Sequence, residues 1–206
     1  MGPSQFTRKA RSARPRTGLW AVLAAAAVIA CVGLVGLLRD QLGPEQAILR
    51  KTTGPLAPVL NVGLRDHLHC AVFRKYSRDP VPAPQMTAEL GPTFAMLAPL
   101  LQAHLPDDFR LIQGHHCTAG GRRYTHLIIA GPGGKLVSLI LAPKLPGESL
   151  GGAIHQAPVD CFQIVAFESH DYLVYLISDL DAQQNLAWAA HMAPALRQFL
   201  AARAAG

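Results

Sequence analysis

The chain has 206 residues, 50% of them hydrophobic and 16% charged, with a mean hydropathy of +0.21. That length makes one domain or two small ones, and the low charge excludes wholesale disorder. The 19 Lys+Arg against 13 Asp+Glu give a net charge of +6, but Arg8, Lys9, Arg11, Arg14 and Arg16 all precede Trp20. Without those five the chain is close to balance, so the excess belongs to a short tail. This excludes a basic nucleic-acid-binding face on the folded body.

In chain order, residues 1–17 read as a basic cytoplasmic tail. Gly18 to Leu38 is an uncharged apolar run, about the length needed to cross a bilayer core, and it shows no polar stripe. It predicts a transmembrane helix with Trp20 at the interface. The positive-inside bias then places the N-terminus in the cytoplasm and the remainder outside the inner membrane of a bacterium, with the lipid bilayer as a first partner. A cleaved signal peptide, or a lipid on Cys31 after Val28-Ile29-Ala30, are the alternatives. Residues 39–58, with Gly43-Pro44, Gly54-Pro55 and Pro58, read as a stalk. Residues 59–206 read as the extracytoplasmic domain.

Within that domain, Asn61 to Tyr76 carries Leu64, His67, Leu68, Ala71 and Val72 on one helical stripe. Arg78 to Gln85 reads as an extended connector, and Thr93 to Leu105 as an amphipathic helix after Gly91-Pro92. Phe109 to Cys117, Arg122 to Ala130 and Lys135 to Ala142 are strand-like runs separated by glycine-rich turns. Phe162 to Glu168 and Tyr172 to Ser178 predict a second hairpin, and Asp181 an N-cap for a last helix to about Ala202. The expected fold is α+β: a transmembrane helix, then a roughly five-stranded antiparallel sheet with helices packed on one face.

Phe109-Arg110-Leu111-Ile112-Gln113-Gly114, Leu136-Val137-Ser138-Leu139 and Tyr172 to Leu180, ending in an aspartate-leucine before a helix, together resemble the extracytoplasmic sensor region of bacterial single-pass anti-sigma factors. The likeness covers about the last half of the chain. It implies a non-enzymatic sensing or interaction domain with an envelope protein partner. The family's cytoplasmic zinc-binding domain, marked by His-x3-Cys-x2-Cys, has no counterpart in residues 1–17, so sigma-factor binding is not implied.

The chemistry-bearing residues are the nine histidines and four cysteines. They are densest at Asp66-His67-Leu68-His69-Cys70 and His115-His116-Cys117. Imidazole and thiolate are the ligands of zinc and copper. On a helix His67 and Cys70 share a face. With the hairpin turn centred between Ala119 and Gly120, Cys117 pairs with Arg122 and His115 with Tyr124. His115, Cys117, Tyr124 and His126 then lie on one face with Leu111 and Ile128, and His116 faces the other way with Arg123 and Thr125. The candidate metal ligands are therefore His67, Cys70, His115, Cys117 and His126, for zinc, copper or haem. In this register His126 stands about 13 Å from Cys117, too far for direct pairing. The competing reading needs no cofactor: a Cys70–Cys117 disulfide, with Cys161 as a buried apolar residue. No thioredoxin-type Cys-x2-Cys, c-type haem attachment, phosphate loop or nucleophile elbow occurs, so no catalytic residue is assigned.

Overall fold

In a computed structural model of the chain, residues 22, 25–35, 43–74 and 79–204 are described. The chain divides into two units, Met1–Gly43 and Pro44–Gly206. In the first, a helical segment is described over residues 25–35 (α1). Among the described residues no helix is long and apolar enough to cross a membrane. This corrects the expected transmembrane helix over 18–38, the remainder of which lies outside the described residues. The inner-membrane location and the bilayer partner rested on that helix and are withdrawn with it.

In the second unit, β1 (Arg110–Ala119), β2 (Arg122–Ala130), β3 (Leu136–Pro143), β4 (His155–Val159), β5 (Phe162–Ser169) and β6 (Tyr172–Ser178) form one antiparallel sheet in the order β1-β2-β3-β6-β5-β4. Six strands replace the expected five. The addition is the short edge strand β4, whose Pro158 and partly polar HQAPV sequence hide the period-2 signal.

Helices cover both faces, where sequence reasoning placed them on one. The reason lies in β3, β5 and β6, which are apolar at odd and even positions alike. Leu173 to Ile177, for example, are all 2% exposed or less. A strand with no polar face cannot leave one side to water. One face carries α2 (Ala57–His67), which continues into a π-helical turn at Leu68–Phe73 and packs on Ile140, Ile164, Tyr175 and Ile177. The other carries α3 (Ala83–Phe94), α4 (Leu97–Gln102) and α5 (Ala182–Ala204), packed on Leu127, Leu139, Val165, Val174 and Leu176. The helix α3 begins at Ala83, inside the segment Arg78 to Gln85 expected to be extended, and breaks at Gly91 (φ 67°) before Pro92. Residues 39–58 also include a short helix, Pro44–Leu49, which packs against α2. Asp181 caps α5 as expected, its Oδ1 accepting the Gln184 N–H at 2.8 Å.

Two contacts fix α2 on the sheet. Tyr175 Oη donates to the Val59 carbonyl at 2.8 Å. Gly63 faces the same ring so closely that a Cβ there would lie 2.4 Å from Tyr175 Cγ. Only hydrogen at this position lets the helix backbone come so near the strand. The end of α2 is thereby held over β1, β2 and β3, where the candidate ligands lie.

Candidate metal centre

The β1–β2 hairpin supplies one half of the site. Its turn is centred between Gly120 (φ 59°) and Gly121 (φ 78°), the two positive-φ positions that a type I′ turn requires. His115 therefore faces His126, and Cys117 faces Tyr124. The turn lies one residue later than the expected centre. Moving it by one residue shifts the pairing by two, and an even shift preserves the faces. His115, Cys117, Tyr124 and His126 share a face, as expected. His116 points the other way, its Nε2 donating to the Leu90 carbonyl at 2.9 Å. Leu111 is the exception. A bulge between Leu111 and Gln113 turns it to the opposite face, and Ile112 packs with Ile128 instead. The later turn also removes the separation that had made Cys117 and His126 incompatible.

The second half comes from the end of α2. Asp66 and His67 occupy its last turn, and the π-helical turn that follows brings Cys70 onto the same side. Such turns recur at functional sites because they re-aim side chains within a helix.

One ligand atom each from Cys70, His115, Cys117 and His126 lie within 4.8 Å of one another, and all four residues are buried. Tetrahedral coordination with bonds of about 2.0–2.3 Å places its donors about 3.3–3.8 Å apart, so a small contraction would close the set on one ion. The His115 and His126 rings stand 5.4 Å apart, centroid to centroid. Four converging protein donors fit a single ion. They do not fit haem, whose macrocycle fills the equatorial positions and leaves two axial ones.

His67 is the expected ligand that falls outside this set. Its Nδ1 is 2.8 Å from Ser138 Oγ, and that oxygen is 2.7 Å from His126 Nε2. Ser138, on β3 and fully buried, thus bridges His67 to His126. The other side of His126 meets Asp66. Its Nδ1 is 3.0 Å from Asp66 Oδ2, yet out of line for a hydrogen bond, so this buried nitrogen has no hydrogen-bond partner. Asp66 Oδ1 accepts from the Cys117 thiol, and from Cys70 at 3.7 Å. Two sulfurs and a second imidazole beside this nitrogen make a donor set that suits a divalent cation. Nε2 is engaged by Ser138, which leaves Nδ1 as the donor atom.

The electrostatics agree. The Cys117 thiol, hydrogen-bonded to Cys70, holds the Cys70 sulfur far below its ordinary range, with His115 and His126 helping and burial opposing. Cys117 is pushed up by the same contact, by burial and by the Asp66 charge. His126 is raised to about 9, the Asp66 carboxylate overcoming the effect of burial. Burial, with the charge of His126, lowers His67 to about 3 and keeps it neutral.

Cys70 and Cys117 are free thiols in this structure. Cys161, expected to be buried, is exposed in the β4–β5 turn beside Asp160 (φ 57°). Asp66 and Ser138 are the site residues that sequence reasoning missed. Their signals were an acid four residues before Cys70 and a lone hydroxyl inside the apolar run Leu136 to Ala142. No model of a known protein family matches this chain, and no curated protein matches it either.

Proposed function

We propose that the chain is a zinc-binding protein whose ion is held by Cys70, His115, Cys117 and His126. The observation that carries this reading is the convergence of two sulfurs and two imidazole nitrogens within 4.8 Å, all buried. Two thiolates balance a divalent ion. Four protein donors complete a tetrahedron and leave no open position for substrate, which is the pattern of a structural rather than a catalytic zinc site. When bound, the ion supplies a crosslink between the end of α2 and the β1–β2 hairpin. Ser138 holds His126 through Nε2 and leaves Nδ1 to face the ion, and a ligand-orienting partner of this kind strengthens metal binding. In this reading the domain is a non-enzymatic interaction or sensing module whose packing depends on metal.

Purification of the full chain without chelator, with metal measured by elemental mass spectrometry, tests it. One zinc per chain is expected, lost in Cys70→Ser and in Cys117→Ser. A metal-free chain that takes up no added zinc would overturn it.

A further inference from the structure

The two sulfur donors of the metal centre come from different elements. Cys70 lies in the π-helical turn Leu68–Phe73, and Cys117 lies near the end of β1, a strand at the edge of the sheet. Their Sγ atoms stand within 4.8 Å of each other, and both thiols meet the same oxygen, Asp66 Oδ1. A disulfide holds its sulfurs about 2.05 Å apart, so a closure of about 3 Å at most joins them.

The fold has room for that movement away from its core. Gly63 and the Val59 carbonyl fix the body of α2 against Tyr175, but Cys70 lies beyond that helix. Cys117 lies just before the Gly120–Gly121 turn, where β1 pairs on one side only. Access differs between the two residues. Cys117 keeps 7% of its surface open to solvent and Cys70 keeps none, so a small oxidant meets Cys117 first.

We propose that the metal centre is a redox switch, which answers a hydroperoxide by exchanging its ion for a Cys70–Cys117 disulfide. The switch rests on the zinc reading and names the signal that such a module would sense. In the first step the Cys117 thiolate attacks one oxygen of hydrogen peroxide. The O–O bond breaks, the sulfur becomes a sulfenic acid, and hydroxide leaves. In the second, the Cys70 thiolate attacks that sulfur. The S–S bond forms, the S–O bond breaks, and a second hydroxide leaves. Two electrons pass from the sulfurs to the peroxide. His115 and His126 alone do not complete a tetrahedron, so the ion is released. A metal crosslink between the turn after α2 and the β1–β2 hairpin becomes a covalent one.

The test uses the full chain carrying Cys31→Ser and Cys161→Ser. Both positions are exposed, and Cys70 and Cys117 are then its remaining thiols. Zinc is loaded and its content measured first; a chain that takes up none overturns the zinc reading and the switch with it. Hydrogen peroxide is then added in small excess. A chromogenic chelator reports the ion, and mass spectrometry of the intact chain and its peptides reports the sulfurs. Release of the bound zinc is expected, with a mass loss of about 2 Da for two hydrogens and a linked Cys70–Cys117 peptide. Dithiothreitol should restore both thiols and zinc binding. Zinc retained under peroxide, or released while sulfinic or sulfonic acids form in place of the linked peptide, would overturn the switch and leave the zinc reading standing.

Discussion

Ser138→Ala probes the support of the metal centre with the least disturbance, because it deletes one oxygen from a fully buried side chain and no carbon. That oxygen bonds His126 Nε2 at 2.7 Å and His67 Nδ1 at 2.8 Å. Its removal leaves two buried ring nitrogens unpaired. At about 1–3 kcal/mol for each unsatisfied group, the metal-free protein should lose about 2–6 kcal/mol of stability, read as a lower urea midpoint in the presence of chelator. His126 also loses the contact that fixes its orientation, so metal affinity should fall about 10–100-fold, read by competitive cobalt titration. Ser178→Ala is the matched control. Its hydroxyl is equally buried and donates to Asn185 Oδ1 at 2.8 Å, away from the cluster, so it should cost stability and leave cobalt affinity unchanged. A Ser138→Ala protein within about 0.5 kcal/mol of wild type and with unaltered cobalt affinity would refute the reasoning.

Three further outcomes are expected. Burial lowers the folded-state pKa of His67 to about 3, so the unfolded chain binds the extra proton. Its contribution to metal-free stability is complete above the unfolded value near 6.5 and is lost as pH falls, by about 1.4 kcal/mol per unit. Chemical denaturation between pH 6.5 and 4.5, above the carboxylate range, should show this slope, and His67→Gln should flatten it. For His126, raised to about 9, the sign is opposite: its contribution is present below 6.5 and is lost as pH rises through 9. Gly63→Ala places a methyl group 2.4 Å from Tyr175 Cγ, which should cost about 1–3 kcal/mol and weaken cobalt binding by displacing the end of α2, from which the turn carrying Cys70 continues. The control Gly152→Ala, with no atom within 4 Å of its Cβ, should do neither. Thiol alkylation of the zinc-loaded chain followed by mass spectrometry should label exposed Cys161 and spare Cys70 and Cys117 until zinc is chelated and the chain unfolded.

Five strands were legible because glycine turns bracket runs of β-branched and apolar residues. The closing helix was legible from Asp181. The edge strand was hidden by Pro158, and the start of α3 by a proline cluster that reads as extended chain although Pro84, in the first turn, suits a helix start. His115, Cys117 and His126 were legible as neighbours because face-sharing along a strand survives a two-residue error in register, and Cys70 from its helical spacing to His67. What sequence could not supply was the exact turn centre, and with it the closeness of Cys117 to His126, since Gly120 and Gly121 permit several turns. The shift of His67 from ligand to supporting residue depends on Ser138, which only the β2–β3 and β3–β6 pairings bring beneath the helix. The long apolar stretch near the N-terminus satisfied a length rule that no described helix meets.

X-ray absorption at the zinc edge of the full-length protein, loaded with one equivalent of zinc, tests the central claim most directly. A four-coordinate shell of two sulfurs at about 2.3 Å and two nitrogens at about 2.0 Å is expected. A shell of oxygen and nitrogen alone, or a shell that keeps both sulfurs in Cys70→Ser, would contradict it.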